Sequence, residues 1–209
     1  MIQQPAQPRP LDTLASAATH AQSKGPPPVE TWNPPFCGDI DMRIARDGTW
    51  FYLGTPIGRP ALVKLFASIL RKDAEGYRLV TPVEKVGIVV EDAPFLAVEM
   101  RVEPGPVLQL RTNMDDWVRV GDSHALRFEP GAADGVKPYV HVRGHLWALL
   151  TRALFYDLVA LGETRDFDGQ AMFGIASGSS FFAMAKASAL EGLDTAGLTG
   201  EGLTGEALA

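Results

Sequence analysis

The sequence predicts an α+β protein of two subdomains, each built from strands that lead into a helix. Three observations carry this expectation. Ile40, Met42 and Ile44 alternate with polar residues, short alternating runs between Tyr77 and Arg143 are broken by Gly, Pro or Asp, and two apolar stretches fall at helical spacing, after Pro60 and from Gly144 to Leu161. The chain divides into an N-terminal helix and Pro-rich strap (1–35), a hairpin-plus-helix subdomain (36–84), a C-terminal subdomain (85–183) and a disordered tail (184–209).

Taken in order, Leu11 to Ser23 reads as a short helix with Leu11, Leu14, Ala15 and Ala18 on one side. Five prolines between Pro26 and Pro35 then impose an extended path, and Trp32 and Phe36 are available to pin that strap to a core. In CGDIDMRIARDGTWFYLGTPIGR, Asp39, Asp41 and Arg43 form the wet face of a strand whose other face is Ile40, Met42 and Ile44. Asp47-Gly48 signals a hairpin turn and TWFYL supplies the returning strand. Arg59-Pro60 opens a helix through Leu62, Leu65, Phe66, Ile69 and Leu70, with Arg71 and Lys72 suited to its C-terminal dipole.

YRLVTP, VGIVVE, FLAVEMRVE, VLQLRTN, WVRVG, ALRFE and PYVHVR follow as strands of a meandering antiparallel sheet. Gly144 to Leu161 reads as a helix buried between layers, because apolar residues cover most of its circumference. FASIL (66–70) and FYDLV (155–159) share a Phe-x-x-aliphatic-aliphatic core, which suggests internal duplication; chance similarity of two amphipathic helices is the alternative. Beyond Ser188 the chain is Gly-rich, with Gly-Leu-Thr-Gly-Glu in tandem.

Bulk composition narrows the function classes. At 46% hydrophobic and 21% charged residues, the 209-residue chain is globular rather than disordered. A net charge of -6 argues against nucleic acid, whose binding needs clustered Lys and Arg. The single cysteine, Cys37, rules out an internal disulfide framework, and no Cys/His set at zinc spacing accompanies it. With no signal-like start and no apolar run of membrane length, a soluble, cytoplasmic protein is expected.

No complete catalytic set emerges. Asp39 and Asp41 share a strand face and would suit a hard cation such as magnesium in a hydrolase or transferase, but Arg43 on the same face favours an ion-pair strip. His141 and His145 straddle a strand end, ASGSS lacks a nucleophile-elbow context, and GTPIGRP lacks the Lys-Ser/Thr of a P-loop. The helix opening beside Arg59 offers backbone amides to one anionic group. Arg143 and Arg152, each in apolar surroundings, need partners, for which Asp115, Asp116 and Glu99 are eligible. The expected site therefore collects Asp39, Asp41, Arg43, Arg59, Lys85, Asn113 and Arg143 at strand ends and loop rims, without a cofactor or metal. It suits a small anionic ligand. A protein-interaction adaptor using the strap or an exposed sheet edge is a further reading.

PPFCGDIDMRIARDGTWFYLGTPIGR, LVTPVEKV, VEDAPF, LRTN and PYVHVRGHLWALLTRALFYDLV together resemble the bacterial family known as domain of unknown function 1285, over about residues 26–180. The resemblance implies a two-part fold of repeated motifs whose C-terminal part is pleckstrin-homology-like, a meander closed by a helix. It further implies a signalling role, with a nucleotide-based ligand in the crevice between the parts.

Overall fold

Alternation in the sequence sets the first strand. The computed structural model describes residues 15–16, 18–20, 27–131 and 135–190. In Phe36–Ile44 (β1), Met42 and Ile44 are buried while Asp39 and Asp41 face solvent. The chain reverses where Asp47 Oδ1 accepts the Thr49 amide at 2.9 Å and Gly48 takes a φ of +79°, a conformation that a side chain resists. Trp50–Tyr52 (β2) returns antiparallel to β1, and Thr55–Pro56 (β3) forms an edge. Pro60 sits in the first turn of Pro60–Ser68 (α1), whose Leu62 and Phe66, one turn apart, bury the same face. Phe66 stacks on Trp50, with ring centroids 6.5 Å apart.

The helix stops earlier than its apolar pattern predicts. Ile69 caps it and Leu70–Asp73 (β4) is already strand, so Arg71 and Lys72 do not lie at the helix dipole. Gly76–Val80 (β5) and Lys85–Val90 (β6) complete a sheet in the order β3-β2-β1-β6-β5-β4, with β6 parallel to β1 at its centre.

Phe95–Glu103 (β7), Val107–Thr112 (β8), Trp117–Arg119 (β9), Leu126–Pro130 (β10), Val136–Arg143 (β11) and Leu146–Leu150 (β12) form the second sheet, ordered β9-β8-β7-β12-β11-β10. Its connectivity repeats that of the first. Three strands run from the centre to one edge, the chain crosses to the other edge, and three strands return, leaving the first and last side by side and parallel. Helix α1 makes the crossing in the first sheet; a loop bridged between Gly121 and His124 makes it in the second. The duplication thus lies in sheet connectivity, and FASIL and FYDLV occupy non-equivalent places.

The expected helix over 144–161 is half strand. Gly144 takes a φ of +50° in a turn, Leu146–Leu150 is β12, and only Arg152–Val159 (α2) is helical, burying Leu154 and Leu158. Leu146, Ala148 and Leu150 are buried and Trp147 and Leu149 half-buried, and all five are apolar, so Leu-Trp-Ala-Leu-Leu fits either period. Glu163–Phe167 (β13), Gln170–Ser177 (β14) and Ser180–Lys186 (β15) then form a third, antiparallel sheet, followed by Ala187–Leu190 (α3). The expected disordered tail is therefore ordered to residue 190, and its remainder lies outside the described residues.

Of the described residues 53% are strand and 17% helical, and one of the two large sheets curls into a half-barrel. The protein is mostly β. This corrects the α+β expectation, and no described helix closes the second sheet in a pleckstrin-homology-like manner. No described helix is long and apolar enough to cross a membrane.

One core serves both sheets. Met42, Ile44, Trp50, Phe66 and Leu79 of the first pack in the same cluster as Phe95, Leu110, Val140, Leu146 and Leu150 of the second. Each such side chain contributes about 1.5–3 kcal/mol on burial. The third sheet is tied to the second by the buried Ser177, whose Oγ accepts the Leu108 amide at 3.0 Å and donates to the Val120 carbonyl at 2.8 Å.

Candidate functional site

A cavity of about 720 Å³ opens where the strap and α1 meet the second sheet. Lys64, Ala67 and Ser68 recur at helical spacing, so one face of α1 supplies one wall while Leu62 and Phe66 go to the core. Pro27, Pro28, Val29 and Glu30 of the strap, Met114 and Asp116 of the β8–β9 turn, Trp117, Val118, His124, Val142, Arg143 and Gly144 complete the lining.

The strap is held by a buried arginine. Arg71, 8% exposed, donates to the Val29 carbonyl at 2.7 Å and the Trp32 carbonyl at 2.8 Å. Its Nε and Nη2 bond both oxygens of Asp73, at 2.6 and 3.1 Å, and Lys85 Nζ adds a contact to Asp73 at 3.2 Å. The Arg71 fork holds the Asp73 carboxyl below the usual range, against the opposing effect of burial, and Asp73 in turn raises Arg71. Each charge satisfies the other, so the guanidinium can remain inside. Glu30, carried by the same strap, lies over Gly144, where a Cβ would stand 2.4 Å from Glu30 Oε1.

The β8–β9 turn is shaped by Thr112. Its buried hydroxyl accepts the Met114 and Asp116 amides, each at 3.2 Å, and Asp115 adopts a left-handed φ of +70°. Asp115 consequently reaches Lys64 across the cavity mouth and Arg111, 2.8 Å away, which also pairs with Glu99 at 2.6 Å. Lys64 most of all, then Arg111, holds the Asp115 carboxyl below its ordinary range.

Arg143 is the cation set deepest in the wall. Its Nη2 donates to the Ala67 carbonyl in the last turn of α1 at 2.6 Å, and its guanidinium lies 5.2 Å from the Phe95 ring centroid. Asp116, the nearest carboxylate among the described residues, stands 3.8 Å away. Burial pushes the Arg143 pKa below its ordinary value, and Asp116 and Glu30 only partly offset that. Beside it the His141 ring nitrogens lie 2.9 Å from the Ser123 carbonyl and 2.8 Å from that of Gly144, fixing the turn that ends β11.

The other expected site residues are dispersed. Asp39, with a side chain 77% exposed, meets Arg78 at 3.4 Å on the outside of the first sheet, and Asp41 is exposed beside it. Arg43 packs 4.3 Å from the Phe51 ring centroid and pairs with Glu91. Lys85 is taken up by Asp73. Arg59 lines a separate small pocket with Tyr52 and Leu53, and its carbonyl accepts the Leu62 and Val63 amides at the helix opening. Asn113 exchanges hydrogen bonds with Leu96 and lines a cavity of about 310 Å³ that shares Lys64 and Met114 with the large one. Arg152, expected inside an apolar helix, is exposed in the first turn of α2 and donates to Tyr156 Oη at 3.0 Å. Among the described residues no group of three or more His, Cys, Asp or Glu side chains could hold a metal ion.

Lys64, Glu30 and Trp117 were missed as site residues. Lys64 is the one polar residue of α1 before Ser68, a signal available in the helical pattern; Glu30 and Trp117 reach the cavity only through tertiary packing.

The geometry defines a mostly β protein of two large sheets and a small third one, with a cleft along the junction of the large pair. The chain belongs to the DUF1285 family. Residues 27–93 match the model described as domain of unknown function (DUF1285), N-terminal domain, and residues 94–184 that described as protein of unknown function (DUF1285), C-terminal domain. The crystal structure of a DUF1285 family protein from Silicibacter pomeroyi DSS-3 is similar at a TM-score of 0.78 and 50% identity, covering 85% of this chain and 97% of that one. One from Shewanella baltica OS155 gives a TM-score of 0.47 and 33% identity, covering 57% of this chain and 90% of that one. No curated protein matches the sequence.

Proposed function

We propose that this protein is a cytoplasmic binding module, regulatory rather than catalytic, that takes a small anionic ligand of nucleotide type in the cavity beneath the strap. The observation that carries this reading is Arg143, a half-buried guanidinium whose nearest carboxylate among the described residues is 3.8 Å away. An anionic group at that point would restore the charge compensation that burial removes. Met114, Trp117, Val118 and Val142 supply apolar surface for a ring, and Glu30 and Asp116 supply acceptors for hydroxyls. The volume of about 720 Å³ suits a ligand of that size.

The test is isothermal titration of the full chain with nucleoside mono- and diphosphates, alongside thermal shift. Saturable binding is expected, with Arg143→Met weakening it at least about tenfold, or about 1.4 kcal/mol. Absence of stabilisation by every compound at millimolar concentration, or equal binding by Arg143→Met, would sink the reading.

A further inference from the structure

A second concave surface lies along the same sheet junction and shares no lining residue with the cavity beneath the strap. It encloses about 400 Å³ between β4 and β5 of the first sheet, the Glu91 to Ala93 connection, and β10 to β12 of the second. Its walls are charged and aromatic.

Four cations line it, Arg46, Lys72, Arg127 and Lys137, against the three carboxylates Glu91, Asp92 and Glu129. All three carboxylates are already committed, Glu129 to Arg127 Nε at 3.0 Å. Asp92, with a side chain 7% exposed, bonds Lys137 Nζ at 2.6 Å and accepts from Tyr139 Oη at 2.7 Å. Glu91 pairs with Arg43 outside the cleft and accepts the Arg46 backbone amide at 3.2 Å. Among the described residues no carboxylate pairs with Lys72 or with the Arg46 guanidinium.

Two of the cations, Lys72 and Arg127, lie against rings. Lys72 Nζ lies 5.0 Å from the Tyr77 centroid, and the Arg127 guanidinium 4.3 Å from that of Trp147 and 5.1 Å from that of Tyr139. An arginine packed against two rings loses less rotamer freedom when it meets an anion than one extended into water. Burial most of all, then Asp92, raises the Tyr77 pKa. In a chain of net charge -6, an excess of positive charge in a concave surface focuses the field there and draws anions to it.

We infer that this cleft is a second binding site, for a compact polyanion with at least two adjacent oxyanion groups and no apolar body, held by Arg46, Lys72 and Arg127. Its density of charged groups separates its ligand class from the amphipathic one assigned to the strap cavity.

The probe is inorganic pyrophosphate, titrated calorimetrically into the full chain at constant ionic strength. Saturable binding at one site is expected, weakened at least about tenfold in the double variant Arg46→Gln/Lys72→Gln and unchanged in Arg143→Met. Both substituted residues are exposed, so the double variant should keep the wild-type Tm. Absence of saturation at millimolar pyrophosphate, or equal affinity in the double variant, would overturn the site. Loss of pyrophosphate binding in Arg143→Met would overturn its separateness. The nucleotide test stands apart, because it depends on Arg143 and not on Arg46 or Lys72.

Discussion

The two hollows along the sheet junction differ in what walls them, although both lie between the same pair of sheets. Beneath the strap, one half-buried guanidinium faces an apolar surface from α1, β9 and β11. Across the junction, two cations without carboxylate partners among the described residues stand among aromatic rings and ion pairs. The difference follows from which secondary elements reach the junction. A helix face and a proline-rich segment bring small and apolar groups, whereas strand ends and a four-residue connection bring charged ones. One architecture can thus present two recognition environments without a change of topology.

The change expected to disturb both at once is Phe66→Ala. It removes a fully buried ring stacked on Trp50 and costs about 3–5 kcal/mol in chemical denaturation, with both titrations weakened. Arg71→Ala should separate them. Loss of the fork leaves Asp73 with Lys85 alone and two strap carbonyls without their donor, at about 3 kcal/mol; limited proteolysis at the strap should accelerate and nucleotide binding fall while pyrophosphate binding persists.

Acid sharpens the same contrast. Because the folded Asp73 carboxyl lies below its ordinary value, the stability it supplies is complete above about pH 4 and disappears as pH falls through the folded value. The stability gap between wild type and Asp73→Asn should therefore close in acid unfolding curves below that range, and a constant gap would contradict the role of the Arg71 fork. The smallest effect is expected from Tyr139→Phe, which deletes one hydrogen bond to Asp92 for about 1 kcal/mol and should leave nucleotide binding unaltered.

How much of this was readable in the sequence depended on whether the signal was local. Ile40, Met42 and Ile44 announced β1, Asp47-Gly48 its turn, and Pro60 the start of α1, because each acts within a few residues. Leu146–Leu150 misled for the opposite reason. Apolar residues on its half-buried face as well as its buried one erased the alternation that would have marked it as strand, and extended an eight-residue helix into a false eighteen-residue one. The polar β13, exposed at every residue, offered no periodicity at all.

For the site, Arg143 was legible as a charge in an apolar setting, and Asp116 as its eligible neighbour. Arg43 and Lys85 were not separable from it, because their partners Glu91 and Asp73 are brought beside them by sheet pairing and not by sequence spacing. The wet strip of Asp39 and Asp41 faces outward, where Arg78 meets Asp39.

The parallel central pair bears on the order in which the molecule can assemble. Within each sheet the hairpins join near neighbours, but β1 must wait for β6 and β7 for β12, so the seam is the contact of greatest sequence separation. Every strand of the first sheet precedes every strand of the second along the chain. During vectorial synthesis the first seam can close while the second repeat is still emerging, and the core face shared by the two sheets is sealed only when the second arrives.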